Sequence, residues 1–166
     1  LTLLGLFLVS KIFFNREIAF IAVLFCFLNP FFFGHMSINP KDTIISFALV
    51  WFAYSIYLYC TNIEKKHLGF VILASLFMGL GLGVRISFFV ITIPIILSAF
   101  IFLLKNKTKY QEHLSFKKIS FHILIFLLLS FFLMVIAWPH IHHSLLLLPK
   151  VVLNIILNSI KWGSGP

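Results

Sequence analysis

The sequence predicts an all-α fold: a polytopic transmembrane helix bundle carrying an amphipathic helix on its outer face. Three observations predict it. Of 166 residues, 61% are hydrophobic, 22 are phenylalanine and only 10% are charged. Mean hydropathy is +1.12. Apolar runs of spanning length alternate with short basic connectors. A soluble domain has too little interior to hide so much apolar surface, so the bilayer is the solvent. A net charge of +9 would elsewhere suggest nucleic acid. Here the basic residues sit in connectors without interleaved aromatics, and no nucleic-acid partner is expected.

The chain opens on Leu1 inside an apolar run and stops at GSGP, so one incomplete transmembrane domain, the fragment of a longer protein, is expected over 1–166. Residues 1–10 read as a partial span, followed by a connector with Lys11, Arg16 and Glu17. A second span is expected over 18–33, broken near its end by Asn29 and Pro30. Residues 29–43, NPFFFGHMSINPKDT, read as a loop. The next span, 43–60, ends among Tyr54, Tyr57 and Tyr59, which suit a membrane interface.

Residues 68–104 are almost unbroken apolar sequence. One helix of that length would reach about 55 Å against a hydrocarbon core of about 30 Å. The run therefore folds back as spans 68–84 and 86–104, turning at Arg85 after Gly79, Gly81 and Gly83. A connector with Lys105, Lys107, Lys109, Lys117 and Lys118 precedes a span over 119–138. Beyond it, Lys150, Asn154, Asn158 and Lys161 share one helical stripe opposite Val151, Val152, Ile155 and Ile156. That pattern predicts an interfacial helix over about 148–161, with one more span over 145–160 as the alternative.

Alternate connectors hold Lys11, Arg16, Lys65, Lys66, Lys105, Lys107, Lys109, Lys117 and Lys118, whereas the opposite side holds Lys41 and Arg85. The positive-inside bias makes the lysine-rich side cytoplasmic. Residues 29–43, Arg85 and the Trp138–His143 segment then face outward or into a lumen. Cys26 and Cys60 lie in apolar runs with no metal-ligand spacing and read as inert packing.

Glu17, Glu64 and Glu112 accompany basic residues in cytoplasmic connectors. Asp42 shares its side with His35, Lys41, Arg85, His140, His142 and His143 and with no other carboxylate. An aspartate there suits a general base, a metal ligand or a helix cap, and capping is the plain structural reading. Lys41 and Arg85 suit a lipid-linked phosphate, or simply topology and headgroup contact. The histidine cluster suits a metal only if its backbone is extended; otherwise it is interfacial. Gly79 and Gly83 are spaced for close helix packing rather than a phosphate cradle.

The strings NPFFFGHMSINPKDTIISF, GLGLGVR and AWPHIHHSLLLLP together resemble the integral-membrane glycosyltransferases of the C-type fold. They resemble in particular the protein O-mannosyltransferase-like and lipid A aminoarabinose transferase-like members. In that family a Lys-Asp pair opens a spanning helix on the outer side, and NPKDT at 39–43 is similar to it. The resemblance implies sugar transfer from a polyprenyl-phosphate donor to a protein, lipid or glycan acceptor at the extracytoplasmic or lumenal face. A bacterial inner membrane and the endoplasmic reticulum both fit the topology. The resemblance implies that Asp42 is catalytic, orienting the acceptor or binding a divalent cation (Mg or Mn), and that Lys41 and Arg85 hold the donor phosphate; His35 and His140, on the same side, are expected as further substrate contacts. The family's principal acid lies in the first external loop. No external acidic residue precedes Asp42, so this piece alone is expected to be inactive. A transporter or flippase, with Arg85 and Asp42 lining a path, and a non-catalytic membrane subunit are the alternatives.

Overall fold

The computed structural model describes residues 1–62, 67–106 and 116–137, together with Lys150 and Leu153. The interfacial helix expected over 148–161 otherwise lies outside the described residues. Among them, every element is an α-helix: α1 (Thr2–Phe13), α2 (Arg16–Leu28), α3 (Pro30–Ile38), α4 (Pro40–Thr61), α5 (His67–Val84), α6 (Phe88–Lys105) and α7 (Phe116–Ala137).

Two Asn-Pro pairs correct the reading of 29–43 as a loop. Asn29 leaves helical geometry and ends α2, and its Oδ1 accepts the Phe31 amide at 3.0 Å. Pro30 has no amide to satisfy, so it suits the first position of α3. Asn39 and Pro40 likewise open α4, although the Asn39 side chain accepts no capping amide. The expected span over 18–33 is consequently divided at Asn29, because a proline that halts one helix also begins the next. At the other end of α2, Asn15 accepts the Ile18 amide at 2.8 Å and caps the helix.

α4 presents Ile45, Ala48, Phe52 and Ser55 as a buried stripe at helical spacing. Of these, Ile45, Ala48 and Phe52 meet Ala74, Phe77 and Met78 of α5 and Phe88 of α6 in one core. Trp51 stacks on Phe77 with ring centroids 5.8 Å apart, and Phe47 meets the same ring edge-on at 5.5 Å. α1 lies along α4, where a Cβ on Gly5 would stand 2.8 Å from Val50.

Between helices in hydrocarbon there is little hydrophobic force, so close approach decides the packing. α5 and α7 meet through small residues. A Cβ on Gly79 would fall 2.6 Å from the Leu133 Cβ, and one on Gly83 would fall 2.5 Å from the Ala137 Cβ. Ser130 donates to the Ser75 carbonyl at 3.3 Å one turn away. The register 75–130, 79–133, 83–137 rises together, so α5 and α7 run parallel. Gly81, on another face, leaves room for the Phe88 ring where the chain reverses through residues 85–87.

The buried polar side chains among the described residues are the hydroxyls of Ser55, Ser75, Thr92 and Ser130. Each donates to a carbonyl: Ser55 to Trp51 and Ser75 to Val71, both at 2.6 Å, Thr92 to Phe89 at 2.8 Å, and Ser130 to Ser75 as above. Satisfied in this way, they carry little cost in an apolar interior. α4, α6 and Lys117–Ala137 of α7 are each long and apolar enough to cross a membrane. Their outward faces are rich in exposed side chains such as Phe100, Leu128 and Phe132, a surface that needs lipid against it.

Candidate active site

The helix directions sort the charges of α1–α7 into two groups. Lys11, Arg16, Lys105, Lys117 and Lys118 gather at one end, together with Glu17; Lys41, Asp42 and Arg85 occupy the other. Asp42 is the third residue of α4 after Pro40 and Lys41, so its carboxylate stands where the helix macrodipole favours an anion. It is not the cap, which is Asn39. Arg85 follows α5 at the reversal, its amide continuing the helical ladder to the Gly81 carbonyl at 3.0 Å.

The two side chains meet. Arg85 Nη1 donates to Asp42 Oδ1 at 3.1 Å, with the side chains 49% and 35% exposed. Asn39 Nδ2 donates to Asp42 Oδ2 at 2.8 Å, and Ser46 donates to the Asp42 carbonyl at 2.8 Å. One oxygen is thus tied within its own helix turn, while the other reaches across to the α5–α6 reversal. In a half-exposed setting such a pair contributes modestly to stability, about 0.2–1 kcal/mol.

Asp42 also lines a cavity of about 340 Å³. Its walls are Cys26 and Asn29 from the end of α2, Phe31 and Phe32 from α3, and Thr43 and Ser46 from α4. Aromatic faces beside hydroxyl and amide groups suit a polyhydroxylated ligand, whose C–H faces and hydroxyls need both. Sequence reasoning missed Asn29, Asn39, Thr43 and Ser46; the repeated Asn-Pro pair was the signal that helices, not a loop, frame Asp42.

Of the other expected site residues, Lys41 is exposed at the second position of α4 and His35 lies in α3. His140 lies outside the described residues. Among the described residues no three His, Cys, Asp or Glu side chains gather as metal ligands. Among the described residues at this end Asp42 supplies the one carboxylate, and it faces a guanidinium and an amide.

Spanning-length apolar helices, lipid-facing surfaces and a polar site at one end define an integral membrane protein with an all-α bundle. The chain belongs to the dolichyl-phosphate-mannose-protein mannosyltransferase family, whose family model matches residues 1–138 and so includes Asp42 and Arg85. It is therefore a glycosyltransferase of the mannosyltransferase-like type. No curated protein and no solved structure matches it.

Proposed function

We propose that the protein transfers a sugar from a polyprenyl-phosphate donor to a protein, lipid or glycan hydroxyl at the extracytoplasmic or lumenal face of its membrane. The observation that carries this reading is the joint placement of Asp42, Arg85 and a polar, aromatic-walled cavity at one end of the bundle. A lipid phosphate is anchored at headgroup depth. Arg85 and Lys41 neutralise the charge that develops on it as its bond to the anomeric carbon breaks. Asp42 accepts a hydrogen bond from the acceptor hydroxyl and aims its oxygen at that carbon. The hydroxyl proton leaves to a general base at the same face, the role that the family resemblance gives to a first-loop acid. His35 and His140 join the substrate contacts as neutral or cationic donors.

The test is Asp42→Asn in the complete protein, reconstituted in liposomes with a polyprenyl-phosphate sugar and an acceptor. Transfer falls by a hundredfold or more while membrane insertion is retained. Near-normal turnover in a fully inserted variant removes Asp42 from the reaction.

A further inference from the structure

Arg85 and Asp42 are bonded to each other, yet the proposed reaction gives each a different partner. The shape of the guanidinium reconciles the two. It carries five N–H donors in a rigid plane. Arg85 spends Nη1 on Asp42 Oδ1 at 3.1 Å, and its side chain is half exposed, so further donors stay accessible beside the one in use.

Asp42 is held from its other oxygen as well, where Asn39 Nδ2 donates at 2.8 Å. The guanidinium therefore docks against a carboxylate whose direction is already set. Its own backbone is fixed at the reversal, because the Gly81 carbonyl accepts the Arg85 amide at 3.0 Å. Asp42 also lines the cavity walled by α2, α3 and α4. It is thus the residue that touches both the cavity and the guanidinium.

We propose that Arg85 binds Asp42 and the donor phosphate at the same time, one edge of its fork on the carboxylate and another on a phosphate oxygen. A single cation then sets the distance between the leaving group and the residue that aims the acceptor. This bridge rests on the reaction proposed above. Carboxylate and phosphate must both lie near one anomeric carbon, and they repel. A planar cation between them replaces that repulsion with two charge-assisted hydrogen bonds. The demand grows during transfer. As the bond from the anomeric carbon to the phosphate oxygen breaks, its electron pair stays on that oxygen, and a monoanionic phosphodiester becomes a dianionic monoester. The acceptor oxygen forms the new bond to carbon while its proton leaves to the general base. An ammonium is a point charge without a fork. Lys41, exposed at the second position of α4, adds charge near the phosphate but does not supply the bridge.

Arg85→Lys in the complete protein, reconstituted with a polyprenyl-phosphate sugar and an acceptor, separates bridge from charge. Donor Kd should stay within about threefold of the parent while kcat falls about tenfold to a hundredfold. Arg85→Gln should lose both. Arg85→Ala should regain kcat with added guanidinium ion and not with methylammonium, a contrast of shape at equal charge. Parent-like kcat in Arg85→Lys, or equal rescue by the two ions, overturns the bridge. So does a loss of donor affinity in Arg85→Lys as large as in Arg85→Gln, the result expected if the whole fork lies on the phosphate. Asp42→Asn keeps the two readings apart. If it is inactive and Arg85→Lys is parent-like, the bridge alone fails; normal turnover in Asp42→Asn removes the reaction beneath it.

Discussion

Arg85 and Asp42 tie the α5–α6 reversal to the first turn of α4 through a single 3.1 Å contact. Because the pair is half-exposed, its stability value is small and its chemical value is open to measurement. Arg85→Gln is expected to change unfolding free energy by less than about 1 kcal/mol. Donor affinity should fall roughly tenfold with the loss of one phosphate contact. Thermal melts in detergent and equilibrium binding of a polyprenyl phosphate separate the two effects. A large loss of stability with unaltered donor affinity would make the pair structural.

Asn39 holds Asp42 Oδ2 at 2.8 Å and so fixes the direction of the carboxylate. Asn39→Ala should lower kcat for sugar transfer about tenfold to a hundredfold, through misaiming rather than loss of charge. Asn29, a wall of the same cavity, also caps α3 by accepting the Phe31 amide. Asn29→Ala should cost about 1 kcal/mol of stability. Steady-state kinetics and melting of Asn39→Ala check this: equal kcat for Asn39→Ala and parent would remove Asn39 from the site.

The α5–α7 contact is backbone against backbone. A methyl group at Gly79 would stand 2.8 Å from the Ser130 carbonyl oxygen, and at Gly83 3.2 Å from that of Met134. Gly79→Ala and Gly83→Ala should each destabilise the protein by about 1–3 kcal/mol through overpacking. Gly69, in the same helix, has nothing within 4 Å of its added Cβ. Gly69→Ala should therefore be neutral or stabilising by up to about 1 kcal/mol. Melting all three in one detergent checks the contrast, and a uniform response would deny the glycines any packing role.

Gly81 gives its space to the fully buried ring of Phe88. Gly81→Ala alone should lower the melting temperature. Added to Phe88→Leu, where the ring is gone, it should cost markedly less, with a coupling of about 0.5–3 kcal/mol in a double-mutant cycle. Strict additivity would show that the two residues do not compete for one volume.

Much of this arrangement was legible in the residues themselves. Hydropathy alone distinguishes a lipid-solvated bundle from a soluble fold, and the run 68–104 is too long to be one span, so the glycines and Arg85 mark its reversal. Gly79 and Gly83 announce close packing by their spacing, although the partner helix is chosen only in three dimensions. The segment 29–43 misled because Asn and Pro were read as breakers. Proline is equally at home at the first position of a helix, and the two Asn-Pro pairs restart α3 and α4. The Tyr59–His122 bond joins residues 63 positions apart, and nothing local to either predicts the other. The same is true of the cavity beside Asp42, whose walls come from three helices.

The parallel pairing of α5 with α7 has a consequence for how the protein is made. Ser75 meets Ser130, 55 residues further along the chain, so the notched side of α5 enters the membrane well before its complement has been translated. α6 is the next helix to emerge, yet it turns aside at Phe88 and leaves those notches bare. The nascent protein must therefore pass through a stage in which α5 is shielded by lipid or by the insertion machinery, and final docking waits for α7.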